Sequence, residues 1–140
     1  MPIDVHILQG GVGRVWVCHG VLLGNDFIAN TERMLSSGGY EGIRWLLVDV
    51  TDSTVAVLPE DIRTIKAQGD RFAALVPELV NAVVVPHDYA FAMTRMEGVL
   101  TGRPGWSVRA FRGRAEAEAW LREEVRRKFG IEVPGDLTVP

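Results

Sequence analysis

Apolar and polar residues alternate from Ile3 to Leu8, with Ile3, Val5 and Ile7 set against Asp4 and His6. That period of two predicts a half-buried strand. Gly10, Gly11 and Gly13 supply turn conformations, and Val12–His19 follows as a second strand centred on Val15, Trp16, Val17 and Cys18. A hairpin is the simple reading. The period then changes. Phe27, Ile28, Thr31, Met34 and Leu35 share one stripe over Asn25–Ser37, which predicts a helix. Gly24 or Asn25 caps its start, and Gly38 and Gly39 stop it.

Trp45, Leu46, Leu47, Val48 and Val50 form a nearly unbroken apolar run, interrupted only by Asp49. Such a run suits a strand covered on both faces. Thr51, Asp52, Ser53 and Thr54 come next; their side chains bond nearby backbone and predict a turn. Pro59 fits the first position of a helix running to about Val76, and Glu60 and Asp61 suit its positive end. Ile62, Ile65, Phe72, Ala73 and Val76 mark the apolar stripe of that helix, and Gly69 falls on it, where close approach to the sheet would excuse a mid-helix glycine. Pro77 ends it.

Leu79–Val85 is a valine-rich strand closed by Pro86. Asp88 caps a helix in which Tyr89, Ala92, Met93, Met96, Val99 and Leu100 recur at helical spacing. Trp106–Phe111 alternates as a last strand, and a last helix spans about Arg114–Phe129, acidic at its start and basic at its end. Residues 1–130 read as a single domain, and residues 131–140 as a loose C-terminal tail. The order ββαβαβαβα predicts an α/β protein: an N-terminal hairpin, then repeated β-α units, forming a mostly parallel five-stranded sheet. Right-handed crossovers would put the helices mainly on one face. The other apolar face would then need a partner, a ligand or a second subunit to cover it.

Composition narrows the function classes. The 140 residues suffice for one domain with a core, at 47% hydrophobic and 24% charged. A net charge of −3 argues against general nucleic-acid binding. No stretch approaches the roughly 20 apolar residues of a membrane span, and MPIDVHILQG lacks the pattern of a signal peptide. The lone Cys18 excludes an internal disulfide and two-cysteine metal motifs, and fits a reducing, cytoplasmic setting.

The chemistry-bearing residues do not assemble into a catalytic motif. His6, His19 and His87 fall on separate elements without metal-ligand spacing. Cys18 and His19 are neighbours on a strand, so their side chains point to opposite faces, and a buried structural thiol is the better reading. The Gly10–Gly13 stretch joins two strands and lacks the setting of a phosphate loop. Neither a catalytic set, nor a metal site, nor a cofactor is expected. Ligands of open α/β sheets sit beyond the carboxyl ends of strands, so Asp49, Thr51, Asp52, Ser53, Thr54 and Glu60 are expected to form an interaction loop. Trp45, Phe91, Met93, Met96 and Trp106 are expected to form an apolar pocket or interface.

The set LLVDV at 46–50, LPEDIR at 58–63, VVVPHDYAFAMTRM at 83–96 and VRAFRGRAEAEAWL at 108–121 resembles the STAS domain. This is the fold of the SpoIIAA-like anti-sigma-factor antagonists, also compared with the CRAL-TRIO lipid-binding fold. The resemblance covers about the first 125 residues. It implies a non-catalytic domain acting through protein association, as a homodimer or with another protein. It implies, as the alternative, a CRAL-TRIO-like cavity for a small apolar or lipid-like ligand. In those antagonists an Asp-Ser pair opens the helix after the central strand, and the serine is phosphorylated. Here that helix opens with Leu58-Pro59-Glu60-Asp61, and Asp52-Ser53 lies several residues earlier. A phosphate on Ser53 would stand beside Asp49 and Asp52, which is unfavourable without nearby arginines.

Overall fold

A computed structural model describes residues 2–85, Asp88 and residues 103–137. Its strands are β1 (Ile3–Leu8), β2 (Gly13–Leu23), β3 (Trp45–Ala56), β4 (Leu79–Val84) and β5 (Trp106–Phe111). They lie side by side in chain order as one sheet. β1 runs antiparallel to β2, and the other three pairings are parallel. The helices among the described residues are α1 (Gly24–Ser37), α2 (Pro59–Leu75) and α3 (Arg114–Phe129). The helix expected over 88–100, including Phe91, Met93 and Met96, lies outside the described residues apart from Asp88, as does His87.

Local chemistry accounts for the helix ends. The Asp26 carboxylate accepts the Leu23 N–H at 2.8 Å, and Asp61 accepts the Leu58 N–H at 3.1 Å. In each case an acid in the first turn satisfies a donor that the helix leaves open. Gly130 ends α3 in the left-handed conformation, with φ 68°. Gly69 does not face the sheet as expected. A side chain there would meet the Arg103 guanidinium, which lies across α2, donates to Asp70 Oδ1 at 2.7 Å and stacks over Trp106.

Alternation along the strands divides the core in two. On one face Trp16, Cys18, Leu22, Leu46, Val48 and Val50 pack with Met34 of α1 and Phe72 of α2. α1 and α2 are tied together by Gln68, whose amide donates to the Ile28 carbonyl at 2.9 Å and to Glu32, and by Arg71, which grips both oxygens of Glu32. On the other face Val15, Trp45, Leu47, Val80, Ala82, Val84 and Phe111 pack beneath Ala117, Leu121 and Val125 of α3.

Two of the three described helices therefore share a face, but the second face is not bare. α3 covers its middle, and the segment after Gly130 packs against the same cluster. Val133 and Leu137 are buried there with the strand residues. The segment expected as a loose arm is thus a packed strap as far as Leu137. Arginines fasten it: Arg126 holds Glu132, Arg122 donates to the Gly135 carbonyl at 2.8 Å, and Arg114 donates to the Leu137 carbonyl at 2.7 Å. Gln9 reaches it from the hairpin, donating to the Glu132 carbonyl.

Candidate functional site

β4 runs beside β3 only as far as Asp49, and β1 accompanies β2 only as far as Cys18. β2 and β3 continue together to the pair Leu23–Ala56, so a two-stranded ribbon extends beyond the rest of the sheet. Its tip carries the N-termini of α1 and α2. Residues Thr51, Asp52, Ser53 and Thr54, expected as a loop, are strand in this ribbon. The neighbouring strand is the cause. β2 is eleven residues long and offers a backbone ladder that overrides the turn preference of four small polar residues.

A bulge sits at the base of the ribbon. Val17 pairs with Asp49 and His19 with Asp52, so Cys18 alone faces both Val50 and Thr51. The extra residue shifts the alternation of β3. Before it, Leu46, Val48 and Val50 face α1 and α2; after it, Ser53 and Val55 do. Ser53 is consequently buried, while Asp52 and Thr54 are exposed on the opposite side and Thr51 is exposed at the bulge itself. Glu60 is exposed in the first turn of α2.

Asp49 does not belong to an exposed interaction surface. Its side chain is buried on the α3 side of the sheet. Oδ1 accepts the Thr51 N–H at 2.9 Å and the Thr51 hydroxyl, and Oδ2 accepts Arg114 Nη1 at 3.0 Å. Arg114 also donates through Nε to Glu118 Oε2 at 3.1 Å, and Arg122 meets the other oxygen of Glu118. A buried carboxylate is tolerable only when paired and hydrogen-bonded, and here both conditions hold. The network locks β3, at the point where β4 stops pairing with it, to the first turn of α3 and to the strap. Sequence reasoning missed Arg114 because its partners lie 65 and 23 residues away along the chain. The one available signal was the buried-strand acid itself, which demands a cation somewhere.

Trp45 and Trp106 do not share a pocket. Trp45 is fully buried under α3, its indole N–H donating to Gln9 Oε1 at 2.9 Å. Trp106 lies on the α2 side, donates to the Val76 carbonyl at 2.8 Å and meets Phe72 edge-on at 5.4 Å. Strand alternation separates them: Trp45 pairs with Val80, whereas Trp106 pairs with Leu79.

Cys18 and His19 also point to opposite faces. Cys18 is buried, and its thiol is pushed up to about 12, first by burial and then by the negative charges of Asp49 and Asp4. It stays protonated and unreactive at neutral pH. His19 pairs with Asp4 at 2.7 Å on the exposed side. Among the described residues, no three His, Cys, Asp or Glu side chains are close enough together to hold a metal ion.

The architecture can be set against known proteins. No protein-family model matches the chain, and no curated protein matches it by sequence. Solved structures do match. An uncharacterised DUF3478-family protein from Shewanella loihica PV-4, described as having a SpoIIAA-like fold, superposes with a TM-score of 0.57 at 18% identity, covering 85% of this chain and 91% of that one. The Bacillus cell fate determinant SpoIIAA in its phosphorylated form gives 0.55 at 8% identity, over 86% of this chain and 99% of that one. The chain has the SpoIIAA-like fold. The unphosphorylated anti-sigma factor antagonist SpoIIAA gives 0.53 at 10% identity, over 92% and 99%. At such identities the likeness speaks for the SpoIIAA-like fold alone. No helix among the described residues is long and apolar enough to cross a membrane.

Proposed function

We propose that this chain is a non-catalytic, STAS-type regulatory domain in a cytoplasmic setting. It acts by association, with another protein or with a second copy of itself, and without a phosphorylated serine at the start of α2. The observation that carries the reading is the tip of the β2–β3 ribbon. Val21, Leu23 and Leu58 are 63%, 51% and 55% exposed there. Val21 pairs with Thr54 and Leu23 with Ala56, so the aliphatic side chains lie among small neighbours, with Glu60 close by in sequence. Exposed apolar groups gathered at the carboxyl end of a parallel sheet suit a protein contact.

The chemistry-bearing groups are otherwise engaged. Asp49 is committed to Arg114, the Cys18 thiol is protonated and buried, and His19 faces away from it. The lipid-like ligand is the weaker reading. Two of the side chains it relies on are divided between the faces of the sheet, and the other three lie outside the described residues.

A photo-crosslinking residue placed at Thr54 tests the proposal, with one at the exposed Arg33 of α1 as control. The expected result is a discrete protein adduct at position 54 that Val21→Glu abolishes. Equal, diffuse labelling at both positions refutes it.

A further inference from the structure

The geometry points to β1 as the seam of a homodimer, in which two copies join their sheets edge to edge. This deepens the association reading above by naming a partner, a second copy of this chain, and a different surface for it. β1 is the outermost strand of the sheet. The His19 N–H donates to the Pro2 carbonyl at 2.8 Å, which marks Pro2–His19 as a hydrogen-bonded pair. In an antiparallel ladder such pairs alternate. Asp4, His6 and Leu8 therefore spend their backbone groups on β2, and Ile3, Val5 and Ile7 direct theirs outward. On the α1 side of that edge, Val5 and Ile7 are 40% and 59% exposed. Open edges are usually guarded by lysine, proline or a bulge. Between Ile3 and Leu8 there is neither lysine nor proline, and the register with β2 is unbroken.

The sequence of β1 complements itself in one register. A two-fold antiparallel seam must match outward-facing residues with outward-facing residues. Centring it on Asp4 would oppose Asp4 to Asp4, and centring it on His6 would oppose His6 to His6. Centring it on Val5 opposes Val5 to Val5, Ile3 to Ile7 in both directions, and Asp4 to His6 in both directions. The three outward pairs then exchange two backbone bonds each. The exposed Val5 and Ile7 gain apolar neighbours, and each Asp4, already bonded to its own His19 through Oδ2, faces a second imidazole across the seam.

Sedimentation velocity across a concentration series tests this with the full chain. The wild type is expected to dimerise. Val5→Pro removes the outward N–H at the centre without costing a bond to β2. It is expected to weaken self-association about tenfold or more while circular dichroism shows the fold intact. His6→Asp alone opposes acid to acid across the seam and is expected to be monomeric. Mixed with an Asp4→Lys variant, it sets acid against lysine on one side and acid against imidazole on the other and is expected to form a heterodimer. A wild type that stays monomeric at every concentration overturns the proposal. So does a dimer that both Val5→Pro and His6→Asp leave intact. Either result leaves the Thr54 crosslinking experiment free to succeed or fail at the opposite end of the ribbon.

Discussion

Removing the Asp49 carboxylate perturbs three elements at once. Asp49→Ala deletes the acceptor for Arg114 Nη1 and for both donors of Thr51. Breaking a buried pair from one side typically costs about 3–5 kcal/mol, because the remaining charge is left without compensation. Here the compensation is only partly lost. The Arg114 side chain is 28% exposed and keeps Glu118 at 3.1 Å and the Leu137 carbonyl at 2.7 Å. The expected loss is therefore about 2 kcal/mol, below the usual range for a fully buried pair. Arg114→Met should cost more, about 3 kcal/mol, since Asp49 is the more deeply buried partner and, among the described residues, pairs with no other cation. Urea unfolding reads both. At a slope of about 2 kcal/mol per molar, Asp49→Ala lowers the midpoint by about 1 M with the slope unchanged. The double variant should recover at least about 1 kcal/mol relative to the sum. Hydrogen exchange provides the second readout. Amides of the strap, Leu137 above all, should exchange faster in Arg114→Met than in Asp49→Ala, because Arg114 is the strap's last fastening and keeps the Leu137 carbonyl when only Asp49 is lost. A loss under about 0.5 kcal/mol for Asp49→Ala, the range of ordinary surface substitutions, together with strap protection unchanged in Arg114→Met, would refute this account of the network.

Further outcomes follow from three other sites. Cys18 should resist alkylation at pH 8 in the folded protein and react readily in denaturant, as thiol titration with and without urea would show. Because its folded value is raised to about 12, the stability linked to it is fully present below the ordinary thiol range and declines as pH rises toward 12, a slope that Cys18→Ala should remove. Glu32 is held below its ordinary value of 4.5 by the hydrogen bond from Gln68 and then by Arg71. Its contribution is present above that value and lost as pH falls through the depressed one, so Glu32→Gln should flatten the acid side of a melting-temperature profile. Gly13→Ala would place a carbon 1.9 Å from the Trp45 ring and should cost about 1–3 kcal/mol by thermal melting, unless Trp45 is also made smaller.

Nearest-neighbour chemistry settled a good deal. Alternation in Ile3–Leu8, the valine-rich Leu79–Val84, the acids in the first turns of α1 and α2 and the left-handed Gly130 are local signals, and each marks an element or boundary that the structure has. They were enough to mark five strands along the chain, while the SpoIIAA-like fold was reached through the resemblance carried by the longer segments at 46–50, 58–63, 83–96 and 108–121. What local chemistry could not decide is where a segment finds its partner. Thr51–Thr54 has the composition of a turn and became strand because β2 runs long enough to pair with it. The bulge opposite Cys18, invisible in the residue pattern, then buried Ser53 and exposed Thr54. Trp45 and Trp106 look alike as apolar anchors, yet register put them on opposite faces. The second face of the sheet was closed by Val133 and Leu137, two aliphatic residues in a proline- and glycine-containing tail whose affinity for the core shows only once Arg114, Arg122 and Gln9 reach its carbonyls. Propensity acts over a few residues, whereas burial and charge pairing act between residues far apart in the chain, and only folding brings those together.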